Sequence, residues 1–227
     1  MFIKAQCAKC AVKPEKKACR VEDGNGPDFC PTKYGQEIIE RANKQYQNPD
    51  VYEFARQSSI QEAQCYANRD RKPPVRQPTK PRIKEIIEFA KKMEYKKLGL
   101  AYCAGLQSEA GKLNKVLEFH GFDVVSVVCK VGCTPKEAIG IKQSEKVRIG
   151  EYESMCSPIT QAKILNEAKT DFNILLGLCV GHDSLFFKNS EAMATVFAVK
   201  DRVLGHNPLA ALYTLDSYYE GLIKIQD

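Results

Sequence analysis

The sequence lacks the long apolar runs that mark membrane proteins. No apolar stretch approaches the roughly 20 residues that a membrane-spanning helix needs, and the first ten residues, MFIKAQCAKC, contain no apolar core of signal-peptide length. The composition, 44% hydrophobic and 27% charged, is ordinary for a globular protein. We therefore expect a cytoplasmic protein without a membrane segment, in a compartment that keeps thiols reduced.

Several short catalytic motifs are missing as well. There is no glycine-rich loop ending in Lys-Ser/Thr, no His-Glu-x2-His pair and no serine nucleophile elbow. The segment GLQSEAG offers backbone amides to a phosphate, yet it lacks the full glycine fingerprint of dinucleotide-binding proteins. These absences argue against nucleotide-hydrolase and serine-hydrolase chemistry.

Positive charge is concentrated in one stretch of the chain. The net charge is +6, and residues 66–97 hold eleven Lys and Arg against four Asp and Glu. A basic stripe can hold nucleic acid electrostatically, but the run RDRKPPVRQPTKPR contains no aromatic residue on which a base could stack. Its prolines favour an extended, solvated linker, so we do not expect a nucleic-acid partner.

Cysteine, by contrast, is abundant, because the chain contains ten. In a reducing compartment these thiols are metal ligands, reactive groups or core residues more readily than disulfides. The rival interpretation, a secreted disulfide scaffold, usually applies to chains far shorter than 227 residues.

The pattern of the sequence divides the chain into three parts. Residues 1–33 have four cysteines, three prolines and little apolar periodicity, so burial alone cannot order this Cys-rich metal-binding module. Residues 34–96 form a helical segment with the Pro-rich basic linker. Its helices are expected near 34–46, at about 50–68, and after Thr79, the expected cap of the third.

Residues 97–227 alternate between strand and helix patterns. Strands are expected in LGLAYC, DVVSVVC, FNILLGLC and ATVFAVK, and helices in QSEAGKLNKVLEFHG and SPITQAKILNEAKT, where Ser157 is the expected cap. This alternation predicts an α/β fold, with a parallel sheet covered on both faces. We therefore expect a three-layer, Rossmann-like or flavodoxin-like domain.

Four cysteines near the start have the spacing of a metal site. They follow the pattern Cys-x2-Cys-x8-Cys-x10-Cys, and they are Cys7, Cys10, Cys19 and Cys30. Two thiolates of a Cys-x2-Cys pair can bind one metal, and two later cysteines can complete a tetrahedron. Zinc suits this pattern, although a Cys-Pro ending also occurs in ferredoxin-type iron–sulfur ligation. We expect this metal to fold the segment, because four thiolates leave no open coordination position.

A second group of cysteines follows the predicted strands. The carboxyl ends of parallel strands meet at one edge of a sheet, where several thiols would form a soft site for zinc or an iron–sulfur cluster. The expected ligands are Cys103, Cys129, Cys156 and Cys179, with Cys133 as an alternative to Cys103. Any one of them could instead be a small core residue, which is the role expected of Cys65. We favour a [4Fe–4S] cluster here, with zinc as the alternative.

Cations and a histidine accompany this second group. Lys130 and Lys200 follow two of the predicted strands, where they could neutralise a four-thiolate centre of net charge about −2 or bind a small anionic ligand. His182 is a candidate proton donor, with Asp183 setting its tautomer, and Cys179-x2-His182 also has metal-ligand spacing. These four residues are the candidate catalytic groups. The alternative interpretation is an ion-paired loop with a structural histidine.

The assembled motifs resemble a known family. The matching pieces are CAKC, FCPT, ESMCSPITQAKILNEAKTDFNILLGLCVGHDSLF and VKDRVLGHNPLAALYT, which together span nearly the whole chain. They are similar to a family of cysteine-rich proteins of unknown function from anaerobic bacteria and archaea. The resemblance implies metal binding by cysteines, and it assigns no substrate and no catalytic residue.

Three functional hypotheses follow from the sequence. The first is a metal-binding protein with two thiolate sites, serving redox or electron transfer with a partner protein, or cluster-assisted chemistry on a small anionic ligand. The second is a non-enzymatic, zinc-dependent sensor or interaction module that uses the basic stretch 66–97. The third is metal storage or delivery.

Overall fold

The computed structural model describes residues 4–73 and 75–224 of the chain. It contains two compact units, the first ending at Tyr66 and the second beginning at Ala67. Within the described residues, no helix combines the length and the apolar character that crossing a bilayer requires.

The first unit is built from short turns and three helices. Its elements are 3₁₀ turns at Cys7–Lys9, Pro14–Lys16 and Lys44–Gln47, then α1 (Pro31–Tyr34), α2 (Gln36–Asn43), α3 (Pro49–Gln64) and the start of β1 (Tyr66–Ala67). Asn48 caps α3, since its side-chain oxygen accepts hydrogen bonds from the backbone N–H groups of Asp50 and Val51 at 2.9 and 3.3 Å. The break predicted at this point is therefore confirmed.

The predicted helix at 50–68 ends earlier than expected. α3 stops at Gln64, and Cys65 follows as its C-cap residue. Cys65 is buried, and its thiol donates to the backbone oxygen of Gln61 at 3.0 Å. The packing role expected of this cysteine is confirmed.

The second unit contains the alternating elements. They are β2 (Gln77–Pro78), α4 (Arg82–Lys92), β3 (Lys97–Tyr102), α5 (Gln107–Phe119), β4 (Asp123–Val128), α6 (Pro158–Glu167), β5 (Phe172–Leu178), α7 (His182–Asn189), β6 (Ala194–Val199) and α8 (Leu209–Tyr213). Further 3₁₀ turns lie at Ala104–Leu106, Lys136–Ile139, Gln143–Glu145 and Glu220–Leu222. All four strands expected from residue 97 onward are present.

Four of these strands form one parallel sheet in the order β4-β3-β5-β6. The connection from β3 to β4 runs towards one edge, whereas those from β4 to β5 and from β5 to β6 run the other way. Strand–helix–strand connections are right-handed, so α5 covers one face of the sheet while α6 and α7 cover the other. The predicted three-layer α/β fold is confirmed.

The core explains why these strands are so apolar. β5 is buried at every one of its positions, as expected for a strand of a parallel sheet with both faces covered. On the α6 and α7 face, Ala101, Leu175, Leu165 and Phe186 belong to one buried cluster. Gly99 is required there, because a Cβ atom at this position would lie 2.0 Å from the side-chain oxygen of Asn173 and 2.8 Å from a methyl group of Leu165.

The face of the sheet that α5 covers also carries α4. The sequence pattern assigns this helix to the helical segment 34–96. The ring of Phe89, a buried residue of α4, lies 5.6 Å from that of Phe172 on β5. Tyr95 stacks on the same Phe172 ring at 5.7 Å. Burial raises the pKa of Tyr95, with a further contribution from the charge of Asp171.

Two predictions of helix caps need correction. α4 begins at Arg82 with Pro81 as its N-cap residue, rather than at Thr79, because a proline holds the residue before it extended. Ser157 does occupy the N-cap position of α6, but its side chain makes no capping hydrogen bond. Its backbone N–H instead donates to the backbone oxygen of Cys129 at 2.7 Å.

Candidate functional site

Two cysteines reach the same edge of the sheet because their strands pair in register. Tyr102 and Val128 are the last paired residues of β3 and β4, so Cys103 and Cys129 are the next residues along the two strands. The backbone N–H of Cys129 donates to Tyr102 O at 2.8 Å, which extends the ladder by one bond. Side chains alternate along a strand, so both thiols lie on the face that α6 and α7 cover.

A third cysteine joins them from a distant part of the chain. After β4 the chain leaves the sheet at Lys130 and returns at Cys156, immediately before α6. The hydrogen bond from Ser157 N to Cys129 O, at 2.7 Å, fixes this return beside the end of β4. As a result the Sγ atoms of Cys156 and Cys129 lie 3.8 Å apart, within hydrogen-bonding distance for sulfur. We call Cys103, Cys129 and Cys156 the sheet-edge thiols.

The three thiols differ in their access to solvent. Cys129 is buried, with 3% of its surface exposed, whereas Cys103 and Cys156 are partly exposed. The backbone N–H of Ala104 also donates to Cys129 Sγ at 3.3 Å. Cys129 is therefore the shielded centre of the group, and the other two thiols flank it.

The shared hydrogen bonds shift the three pKa values in opposite directions. Hydrogen bonds with Cys103 and Cys156, together with burial, raise the pKa of Cys129. The hydrogen bond from Cys129 lowers the pKa of Cys103, and the Gly105 N–H group and the Lys200 ammonium act in the same direction. Since Cys129 carries one S–H proton, it donates to one neighbour at a time. The arrangement favours a protonated central thiol beside a thiolate.

Cys156 has its own electrostatic support. The hydrogen bond with Cys129 is the largest cause that lowers the pKa of Cys156, and the charges of Lys130 and His182 act in the same direction. The Lys130 ammonium is held in place, since it donates to the backbone oxygen of Ser154 at 2.5 Å. The positive charge of Lys130 is therefore held near this thiol.

Lys200 plays the matching part beside Cys103. The two groups converge over Gly105, where a Cβ atom would lie 3.4 Å from Lys200 Nζ and 3.9 Å from Cys103 Sγ. The backbone N–H of Lys200 donates to Leu178 O at 3.1 Å, which anchors this residue at the carboxyl end of β5. Three of the four candidate catalytic residues thus lower the pKa of a sheet-edge thiol: Lys200 that of Cys103, and Lys130 and His182 that of Cys156.

Asp183, the fourth candidate catalytic residue, has a local contact instead. Its side-chain oxygen accepts a hydrogen bond from the backbone N–H of Ser184 at 2.8 Å, in the first turn of α7. This carboxylate therefore satisfies a free N–H group at the start of the helix.

Cys179 and Cys133 have partners other than cysteine. The Arg202 guanidinium donates to Cys179 Sγ at 3.2 Å. Cys133 Sγ lies 3.3 Å from the hydroxyl of Tyr152, which also donates to the backbone oxygen of Cys133. The structure thus brings three of the four expected sheet-edge ligands together and gives Cys179 a cationic partner.

The four amino-terminal cysteines lie on turns of the first unit. Cys7 and Cys10 flank a single 3₁₀ turn, with Cys10 N donating to Cys7 O at 3.1 Å, while Cys30 precedes α1. Cys19 lies in a loop that a bridge between Lys17 and Asn25 closes. Across the residues that the structure describes, no group of three or more His, Cys, Asp or Glu side chains is already arranged to hold a metal ion.

Sequence reasoning missed one residue that shapes the site. Gln161, on α6, is fully buried, and its side-chain NH₂ group donates to the backbone oxygens of Tyr102 at 3.2 Å and Val127 at 2.7 Å. It thereby ties together the ends of β3 and β4 just before Cys103 and Cys129. The available signal was a polar residue among the apolar positions of the helix in SPITQAKILNEAKT.

Comparison with known proteins identifies the family of this chain. Residues 30–197 match the model of a family described as "Protein of unknown function (DUF1847)". The chain belongs to this family. The matched range contains all the sheet-edge thiols and Cys179, and of the four amino-terminal cysteines it contains Cys30. The resemblance stated from the motifs is confirmed as membership of a family of unknown function, to which this chain, with ten cysteines, belongs.

One relative extends the similarity to almost the full chain. The chain is 44% identical over 214 residues to an uncharacterized protein of the archaeon Methanocaldococcus jannaschii. The alignment covers 94% of this chain and 95% of that protein. The two proteins therefore correspond across both structural units.

Proposed function

We propose that the sheet-edge thiols bind a thiophilic metal centre that has an open coordination position, and that this centre acts on a small anionic ligand. The proposal is supported most strongly by the 3.8 Å separation of Cys129 Sγ and Cys156 Sγ. Zinc–thiolate bonds are about 2.3 Å long in a tetrahedron, so two thiolates on one zinc ion lie about 3.8 Å apart. The two sulfur atoms thus have the separation that a single metal atom requires.

The donor set fits a soft metal, although its parts must adjust on binding. Because the described side chains are not already arranged as a ligand group of three, Cys103 has to turn towards the other two. Cys129 has to lose its proton, which burial opposes in the absence of a cation. A bound metal ion would compensate this cost, since its charge deprotonates a coordinating thiol.

The same spacing bears on the choice of metal. In a [4Fe–4S] cluster each thiolate binds a different iron atom, so the sulfur atoms stand further apart than two ligands of one metal. The geometry therefore favours zinc, or a two-iron cluster in which one iron takes two thiolates, over the four-iron cluster expected from the sequence. A two-iron cluster needs a fourth thiolate, and Cys179 could supply it by leaving Arg202.

The surroundings of the site support a functional role. Three thiolates leave the fourth position of a tetrahedral ion open, as in catalytic zinc sites. Lys200 and Lys130 place positive charge beside the thiols, which favours a small anionic ligand at that position. The amino-terminal cysteines Cys7, Cys10, Cys19 and Cys30 remain the proposed second, structural site.

Metal analysis of protein purified without oxygen tests the proposal. We expect one zinc ion or iron centre per chain at the sheet edge, and cobalt substitution should produce sulfur-to-cobalt charge-transfer absorption. Cys129→Ser should abolish this absorption at the sheet edge, whereas Cys133→Ser, a matched change in the same unit, should leave it unchanged. Both variants are made in a chain whose four amino-terminal cysteines are serine, so that the first unit contributes nothing. A chain of this kind that binds no metal, or that loses none on Cys129→Ser, would overturn the proposal.

A further inference from the structure

Two of the sheet-edge thiols are placed to form a disulfide. Cys129 Sγ and Cys156 Sγ lie 3.8 Å apart, and a disulfide bond of about 2.05 Å requires them to approach by about 1.8 Å. The backbones are already side by side, because Ser157 N donates to Cys129 O at 2.7 Å. Closing the bond therefore requires the two side chains to rotate towards each other between segments of backbone that a hydrogen bond already joins.

The burial of the two thiols gives them different roles. Cys156 is partly exposed, whereas only 3% of Cys129 is exposed. A molecule arriving from solvent meets Cys156, and Cys129 lies directly behind it. This is the arrangement of an attacking thiol and a resolving thiol, in which access decides which sulfur reacts first.

The charges around the pair select among possible reactants. Lys130 directly follows Cys129 in the chain, its ammonium is fixed by Ser154 O at 2.5 Å, and its positive charge acts on Cys156. This charge attracts an approaching anion and repels a cation over distances of about a Debye length. The reactant that suits the site is therefore small and negatively charged.

We propose that Cys156 and Cys129 are a dithiol that exchanges with small anionic disulfides. The Cys156 thiolate attacks one sulfur of the small disulfide, whose S–S bond breaks, and the first small thiolate leaves. Cys129, after losing its proton, attacks Cys156 Sγ in the mixed disulfide, and the second small thiolate leaves. The protein loses two electrons and two protons, and the small disulfide becomes two thiols. This activity goes beyond the proposed metal binding and needs no metal.

The test uses two small disulfides that differ in charge. The reduced full-length chain, freed of metal by a chelator, is mixed with 3,3′-dithiodipropionate, which carries two negative charges, or with cystamine, which carries two positive ones. Mass spectrometry then maps the products. Cys103, Cys129, Cys133, Cys156 and Cys179 each fall on a different tryptic peptide, so every crosslink between them is identified directly.

We expect a Cys129–Cys156 crosslink, and each rate is divided by the rate of the same reagent with a neutral model thiol, because the two leaving thiols differ in pKa. The normalised rate should be about tenfold higher with the anionic disulfide at low salt, and the difference should shrink as salt rises. Cys129→Ser should stop at a mixed disulfide on Cys156, and Cys156→Ser should form no crosslink to Cys129. Cys133→Ser is the matched control and should behave as the wild type. Far-ultraviolet circular dichroism checks that each variant is folded.

Other products would overturn the inference. A Cys103–Cys129 crosslink as the main product, a mixed disulfide that persists on Cys156 in the wild type, or equal normalised rates with the two reagents at low salt would each do so. Metal titration of the same reduced protein separates this result from the proposed function. A chain that crosslinks but binds no metal refutes the metal site alone, and a chain that binds metal but does not crosslink refutes the dithiol alone.

Discussion

The two groups of cysteines in this protein are ordered by different means. Cys7, Cys10 and Cys30 lie on or beside short turns, in a segment where Gly24 is the one buried residue among the described positions 4–34. Cys103 and Cys129, in contrast, follow two strands that pair along six residues. The second group is therefore positioned by a hydrophobic core, whereas we expect the first to be ordered by a metal that its thiols bind.

The difference shows why close spacing of cysteines in the sequence does not by itself predict how closely their side chains lie in the fold. At the amino terminus four cysteines within 24 residues look like a ligand set, yet a coreless segment supplies little to hold them together. At the sheet edge the residues 103, 129 and 156 are far apart in sequence, and strand register together with one backbone hydrogen bond brings them together. The four predictions below probe this contrast, from the largest expected effect to the smallest.

Removing metal should unfold the amino-terminal segment of the first unit, whereas the second unit keeps its own hydrophobic core and should stay folded. Structural zinc contributes about 10–16 kcal/mol to small zinc-binding peptides at neutral pH, so a chelator should expose residues 4–34 to proteases while the second unit stays resistant. Limited proteolysis with mass mapping, with and without chelator, measures this. A chain in which Cys7, Cys10, Cys19 and Cys30 are all serine is the control, and chelator should not change its cleavage pattern. Resistance of the segment after complete metal removal would contradict the contrast.

The stability of the second unit should depend on its hydrophobic core, just as we expect the order of residues 4–34 to depend on bound metal. Phe186 of α7 is fully buried in the cluster beneath the sheet-edge thiols. Phe186→Ala should lower the free energy of unfolding by about 3–5 kcal/mol, since it removes a large buried side chain and leaves a cavity. Phe119→Ala is the matched control, because Phe119 is 86% exposed and its loss should change stability by less than about 0.5 kcal/mol. Chemical denaturation of the metal-free chain measures the free energy of unfolding of both variants. Equal losses in the two would show that Phe186 does not contribute to a buried core.

Gln161 links the core to the site. Gln161→Met keeps the volume of the side chain but removes its hydrogen bonds to Tyr102 O and Val127 O, and we expect a loss of about 1–3 kcal/mol in stability because buried carbonyl groups lose a donor. The metal affinity of the sheet edge should also fall, since the ends of β3 and β4 are less firmly tied. Cobalt titration in the chain without amino-terminal cysteines reports this directly. Gln161→Glu tests the same contacts, because a buried carboxyl group that stays protonated can donate to only one of the two carbonyl groups. An unchanged cobalt affinity in both variants would limit Gln161 to a purely structural role.

The fold could be predicted from the sequence because its strands are continuous apolar runs. LGLAYC and FNILLGLC are long enough and apolar enough to be buried strands, and both lie where they were expected. The ends of helices were harder to predict, since α4 begins at Arg82 only because Pro81 holds the residue before it extended. Local competition of this kind shifts a boundary by a few residues without changing the fold.

The site could be predicted in part, for a reason visible in the strands. Cys103 and Cys129 follow two strands that pair in register, so a correct strand assignment places them together. Cys179 also follows a strand, but Gly177 has a positive φ of 70° and the register between β5 and β6 shifts at Leu176 and Leu178. This irregularity accompanies the different partner of Cys179, the Arg202 side chain. The isolated glycine inside the strand pattern FNILLGLC is the sequence signal that indicates such a bulge.

The loop between Lys130 and Cys156 is ordered by ion pairs and by hydrogen bonds from charged side chains. A short bridge between Pro135 and Ser154 closes its neck. Further out, the Lys146 ammonium, whose side chain is 1% exposed, contacts the Glu137 carboxylate at 2.5 Å and the backbone oxygen of Glu151 at 2.9 Å. The hydrogen bond from Lys146 lowers the pKa of Glu137. The loop that delivers Cys156 is thus held by ion pairs, unlike the strand ends that deliver the other two thiols.

Acid should therefore loosen this loop before it affects the sheet. Glu153 accepts hydrogen bonds from Lys136 at 2.8 Å and from the backbone N–H groups of Val147 and Arg148 at 2.9 and 3.1 Å. The hydrogen bond from Lys136 is the main cause that lowers the pKa of Glu153 from 4.5 to about 2. A carboxyl group whose pKa is lower in the folded chain stabilises it fully above pH 4.5, and this contribution is lost as the pH falls towards 2.

Hydrogen exchange of the amide groups of Val147 and Arg148, corrected for the intrinsic effect of pH, measures this loss. We expect their protection to be constant from about pH 7 to pH 5 and to decrease below about pH 4.5. Glu153→Gln should start with lower protection at neutral pH and show a weaker dependence on acid. Glu151→Gln is the control, because its carboxylate is largely exposed and lies 3.9 Å from Arg148, a contact that contributes little in water. Because this loop positions Cys156 beside Cys129, the Cys129–Cys156 exchange reaction of Glu153→Gln is compared with that of the wild type at neutral pH, where the reacting thiolate is present. Lower protection that left this reaction unaffected would show that the backbone bond from Ser157 to Cys129 holds the pair without the loop.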